Sequence, residues 1–204
     1  MAYNAELFLT DRMLECTWMI DEIQTAPGYR SGAGNVIKMG YPRWIIKAKY
    51  NNLDDALIIR KQSAWIARRE KSANPFTAFR PLKRKPLNAP SGSNSGLGIS
   101  GVDIASGTID VTGCSWDISE GDMVSYRTSV SGLYVGEVKA NVSQGSTMTL
   151  PVWPPPFAPH ASAPDLKLVD AVGEFQLLEM NPLIEVPDRK NNWDFTAKQV
   201  VRLV

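Results

Sequence analysis

"TIDVTGCSWDISEGDMVSYRTSVSGLYVGEVKANVSQGSTMTLPV", residues 108–152, contains four short runs rich in β-branched and aromatic residues: "TIDVTG", "MVSYRT", "LYVGEVKA" and "TMTLPV". Between them lie "EGD", "SGL" and "SQG", whose glycines and small polar residues suit tight turns. Strands recurring at such close spacing have the cadence of a small antiparallel barrel or sandwich. The stretch is bounded on both sides. Before it, "NAPSGSNSGLGISG" (88–101) has the composition of a flexible connection or an exposed hairpin. After it, "PVWPPPFAPHASAP" (151–164) removes many backbone donors and must run extended and irregular, as a stiff return connection or as a ligand for a proline-recognition domain.

Working outward, "ECTWMI" (15–20) and "RWIIKAKY" (43–50) read as strands, as do runs within "GEFQLLEMNPLIEV" (173–186) and "NNWDFTAKQVVRLV" (191–204). The last two are expected to return to the sheet begun by residues 1–50. The layout is then mainly β (α+β). A discontinuous domain, residues 1–90 and 166–204, forms a β-sandwich or split barrel, and residues 91–165 form an inserted small antiparallel β-barrel. The glycine-dense "APGYRSGAGNVIKMGYP" (26–42) carries Tyr29 and Tyr41 and suits a mobile hairpin or an arm that reaches a neighbour.

One helix interrupts the β pattern, over 52–73. Asn51 or Asn52 caps it, Asp54 and Asp55 favour its positive end, and Asn74-Pro75 stops it. Leu53, Ala56, Leu57, Ala64 and Ala67 share one face. Ile58 with Trp65, and Ile59 with Ile66, recur seven residues apart and add apolar stripes outside that face. Such a helix is apolar on more sides than one sheet covers.

Chemistry is sparse. The formal net charge of +1 gives no overall basic excess for nucleic acid. A basic run from Arg60 through Arg68 and Arg69 to Lys85 either binds phosphate, forms a solvated face or complements an acidic neighbouring subunit; the last two are preferred, and no specific nucleic acid partner is expected. Cys16 and Cys114 lie far apart and outside any CxxC pattern, which predicts two buried free thiols. His160 is the only histidine, so two-histidine metal sites are excluded, and no metal or cofactor is expected. Glu120 and Asp122 in "SEGDMV" form a carboxylate pair that turn chemistry explains more simply than acid/base catalysis. The start "MAYNAELFLTDRMLE" lacks the basic, then apolar, order of a secretory signal, and no window has membrane-spanning length. The expectation is a non-enzymatic chain, made in a cytoplasm and not inserted in a membrane.

The order of features resembles the distal tail proteins of long-tailed bacteriophages and related tail-tip or baseplate components. The resemblance rests on "RWIIKAKYNNLDDALIIRKQSAWIARREKSANPFTAFRP", then "GTIDVTG", "SEGDMVSYRTSVSGLYVGEVKA", "SQGSTMTLPVWPPP" and "GEFQLLEMNP". It covers most of the chain from Trp44 to about Pro182. Where related sequences place a glycine–arginine pair at the end of the helix, this chain has "ARREKSANP". The resemblance implies a ring, commonly sixfold, carried in the virion tail and joining the tail tube protein to the tip or hub proteins. It also implies a sandwich or split barrel with one packed helix, and a second small β-domain facing outward. In such a ring Ile58, Trp65, Ile59, Ile66, Arg68, Arg69, Tyr29 and Tyr41 are the candidate subunit contacts. The alternative is a carbohydrate-binding module that helps host adsorption, with Trp116, Tyr126 and Tyr134 as glycan contacts, although core packing is the preferred reading of these three rings.

Overall fold

A computed structural model describes residues 13–22, 24–25, 37–38, 40–50, 75–90, 93–162, 164–180 and 193–202. The described chain is mainly β, in two five-stranded antiparallel sheets and one small ribbon. The first sheet contains β1 (Met13–Asp21), β4 (Arg43–Tyr50), β5 (Phe76–Phe79), β11 (Val172–Met180) and β12 (Trp193–Gln199), in the order β1-β4-β12-β11-β5. The second contains β6 (Gly98–Asp103), β7 (Thr108–Thr112), β8 (Met123–Arg127), β9 (Leu133–Val138) and β10 (Thr147–Trp153), in the order β6-β7-β10-β9-β8. The ribbon pairs β2 (Gln24–Thr25) with β3 (Ile37–Lys38). Among the described residues the only helical stretch is a 3-10 turn over Pro81–Lys83. The helix expected over 52–73 lies outside the described residues.

Alternation builds the first sheet. In β4, Trp44, Ile46, Ala48 and Tyr50 are buried while Lys47 and Lys49 are exposed, the period-2 pattern of a strand with one face on a core. The register sets Phe195 opposite Ala48 and Ala197 opposite Ile46, and on the other side Trp18 opposite Ile46. These residues therefore share a face. Their core is aromatic: Trp18 meets Trp44 and Phe175 edge-on at centroid distances of 5.8 and 5.2 Å, and Phe76 meets Phe195 at 5.9 Å.

The hairpin β8–β9 has no solvent face. Met123 and Val135 join the aromatic core of the first sheet, and Leu133 packs with Phe79 and Val172. Their neighbours Val124, Tyr126, Tyr134 and Val138 point the other way, into the core of the second sheet with Ile109, Val111, Met148 and Leu150. A strand buried on both faces reads as a continuous apolar run, which is what "MV" and "LYV" are. Polar groups fasten the same junction. The Trp44 indole N–H donates to the Val135 carbonyl at 3.2 Å, and the Val172 amide donates to Ser125 Oγ at 2.9 Å. Two layers packed face to face through this hairpin fit a sandwich.

The proline-rich return follows from donor arithmetic. Prolines lack N–H groups but keep their carbonyls, so those carbonyls need donors from elsewhere. Tyr134 donates its hydroxyl to the Pro154 carbonyl at 2.6 Å, Tyr126 to Ala158 at 2.8 Å, and Tyr41 to Pro155. The Lys139 amide donates to Pro151 at 2.8 Å and the Ser129 amide to Pro159 at 2.9 Å. Pro154, Pro156, Phe157 and Ala158 are buried. The segment is a structural return, and those two prolines are not on offer to a recognition domain. Gly136 serves the same arrangement, since a Cβ there would stand 2.0 Å from the Tyr134 hydroxyl. Cys16 and Cys114 are free thiols, and burial is the main cause that pushes both upward in pKa.

Candidate functional site

The chain order places β6 to β10 between β5 and β11, so loops from both sheets meet at the junction. There a cleft of about 430 Å³ opens between the layers. Ile20 of β1 and Trp44 of β4 line it from the first sheet; Glu120, Glu137, Val138, Lys139 and Trp153 line it from the second.

One carboxylate organises its wall. Arg80 Nη1 donates to Glu137 Oε2 at 2.7 Å and Lys83 Nζ donates to Glu137 Oε1 at 2.8 Å, so two cations from the segment after β5 grip one acid on β9. The Arg80 guanidinium also lies 6.0 Å from the Trp44 ring centroid, and Lys139 Nζ lies 6.0 Å from that of Trp153. Glu137 is odd-numbered on β9, like Leu133 and Val135, and so faces the first sheet; the pleat of one hairpin positions both the apolar and the ionic contact.

The neighbouring turn holds the Glu120/Asp122 pair, and the two acids differ. Asp122 is buried, with Oδ2 accepting from the Ser119 amide at 2.8 Å and Oδ1 from the Leu87 amide at 3.1 Å. Its oxygens close the turn and anchor the segment after β5. Glu120 is exposed at the cleft, its backbone amide donating to Asn141 Oδ1 at 2.8 Å. His160 is half-buried with Nδ1 2.8 Å from the Ala161 carbonyl. Among the described residues no group of three or more His, Cys, Asp or Glu side chains could hold a metal ion, and no helix is long and apolar enough to cross a membrane.

The candidate residues read from the sequence fall into two groups. Ile58, Ile59, Trp65, Ile66, Arg68, Arg69 and Tyr29 lie outside the described residues. The others turn inward. Tyr41, expected on an arm, is half-buried with its ring edge-on to Phe157 at 6.1 Å, because its hydroxyl serves the proline-rich return. Trp116, Tyr126 and Tyr134, glycan contacts only on the alternative reading and core residues on the preferred one, are all buried. Tyr126 and Tyr134 pack on each other at 5.0 Å, and desolvation by burial raises the pKa of both. A ring without surface cannot stack on a sugar, so these three do not form a glycan platform.

Leu82 and Leu87 are the surface residues that sequence reading passed over. They are 96% and 82% exposed, the most exposed large hydrophobics among the described residues. In "RPLKRKPLNAP" (80–90) they follow prolines and obey no strand or helix period, so no pattern marked them. No protein-family model matches the chain, and no curated protein matches it.

Proposed function

We propose that the chain is a structural subunit of a long-tailed phage's tail tip or baseplate. It forms a ring, commonly sixfold in this class, between the tail tube protein and the tip or hub proteins. It is made in the bacterial host's cytoplasm and carried in the virion tail, and acts without catalysis or cofactor. The observation that carries this reading is the chain order of the sheets. β1, β4 and β5 from the first part of the chain join β11 and β12 from the last part, with the second sheet's strands between them. That is the arrangement implied by a tube-like β-domain interrupted by a second small β-unit. On this reading residues 91–165 are the inserted barrel. The helix over 52–73 covers its own sheet with Leu53, Leu57 and Ala64, and offers Ile58 and Trp65 to the next subunit. Closed rings use two different patches on each subunit, so one such stripe meets a different surface of the neighbour.

The carbohydrate-binding alternative loses support, since Trp116, Tyr126 and Tyr134 are core residues. Sedimentation velocity of the purified chain tests the ring. A single species several times the 22.5 kDa subunit is expected, and a monomer at every accessible concentration would overturn it.

A further inference from the structure

Leu82 and Leu87 are exposed on a segment that is anything but loose. Arg80 and Lys83 hold Glu137, and Arg84 Nε donates to Asp170 Oδ1 at 2.8 Å while its guanidinium lies 4.8 Å from the Phe79 ring centroid. The Leu87 amide is bound by Asp122, and Asn88 Nδ2 donates to Ser119 Oγ at 3.0 Å. Pro81 and Pro86 fix two φ angles beside the leucines. Single exposed apolar side chains are ordinary, but a pinned loop presenting two of them has already lost the entropy that binding would otherwise take.

Charge identifies the occupant. Four cations, Arg80, Lys83, Arg84 and Lys85, stand in this loop, and the first three are paired with Glu137 or Asp170. Lys85, exposed between the leucines, pairs with no described carboxylate. The cleft of the same chain offers the complement: partly exposed apolar walls from Ile20 and Trp153 over the buried Trp44 and Val138, and Glu120, exposed and paired with no described cation. We propose that the Leu82–Leu87 loop of one chain seats in the Trp44/Trp153 cleft of a second copy, with Lys85 against Glu120.

The two halves adjoin. The stem of the loop grips Glu137 in the cleft wall, and Lys83 Nζ is 3.1 Å from where a Gly121 Cβ would stand. A surface bearing both halves side by side meets its copy about a twofold axis, each loop entering the other's cleft. The contact therefore pairs chains, whereas ring closure uses separate patches. It deepens the ring-subunit reading and rests on its premise that the chain assembles with itself.

The test is sedimentation velocity on the full chain and on Leu82→Ser/Leu87→Ser, Lys85→Glu, Glu120→Lys and the charge swap Lys85→Glu/Glu120→Lys, with thermal unfolding as the folding control. All these side chains are exposed, so the variants should unfold like the parent chain. The leucine pair and each single reversal should halve the assembled mass, and the charge swap should restore it. An assembled mass unchanged in the leucine variant would overturn the contact and leave the ring standing. Single reversals that break the assembly with no recovery in the swap would overturn the Lys85–Glu120 pairing and, with it, the cleft as the seat. A parent chain that stays monomeric throughout would overturn both the contact and the ring.

Discussion

Replacing Tyr134 with Phe removes one oxygen from a fully enclosed place. The hydroxyl donates to the Pro154 carbonyl at 2.6 Å, and the residue is 1% exposed. Pro154 has no N–H of its own, its neighbours Pro155 and Pro156 have none either, and Pro154 is buried. The two residues that follow it therefore offer no backbone donor to take over. The variant loses the net value of a hydrogen bond, about 0.5–1.5 kcal/mol, or the larger desolvation cost of an orphaned carbonyl, about 1–3 kcal/mol. The ring itself stays, still packed against Tyr126 and Phe157 at 5.0 and 6.0 Å, so there is little cavity cost. With the carbonyl orphaned, the expected destabilisation is about 1–3 kcal/mol by urea unfolding, with an unchanged denaturant slope because the buried surface is nearly the same. Tyr126→Phe should cost a similar amount through the Ala158 carbonyl. The double variant should fall short of the sum or exceed it, since the rings touch. A loss below about 0.5 kcal/mol for Tyr134→Phe would refute the donor arithmetic assigned to the proline-rich return.

Three further outcomes follow from the same structure. Burial raises the pKa of Tyr126 and Tyr134, so their stabilisation is complete below the ordinary tyrosine value near 10 and is lost as pH climbs above it; each adds a slope of roughly 1.4 kcal/mol per pH unit, and tyrosinate absorbance should rise together with unfolding rather than before it. Glu137→Ala strands Arg80 and Lys83 at a partly exposed junction and should cost about 1–2 kcal/mol, a difference that shrinks in molar salt; a salt-independent loss would point to packing instead. Duplex DNA should bind weakly at physiological salt, because Arg80, Lys83 and Arg84 already hold carboxylates, and tight binding with a steep salt slope in a filter or anisotropy assay would contradict this.

Much of the strand content was legible because one-sided strands announce themselves. β4 alternates Trp44, Ile46, Ala48 and Tyr50 against lysines, and the turn residues between β7 and β10 mark the strand ends. The hairpin β8–β9 was legible as strands but not as a junction. With both faces buried it shows no contrast between sides, so nothing in "MVSYR" or "LYVGEV" tells which residues meet the first sheet. Tyr126 and Tyr134 read first as core residues and only second as glycan contacts, but the partners of their hydroxyls were not legible. Their hydroxyl partners sit 32 and 20 residues away in a segment whose need for donors appears only once the chain is folded. Of the two cysteines expected as buried free thiols, both are free, but only Cys114 is buried and Cys16 is half-buried. Leu82 and Leu87 escaped because exposure is set by what fails to cover a residue, and periodicity carries no trace of that.

The most direct measurement is an electron micrograph of the purified chain at micromolar concentration. Closed rings of uniform diameter with a central opening are the predicted result. A field of isolated particles the size of one 22.5 kDa chain, at every concentration reached, would contradict the proposal that this protein forms a tail ring.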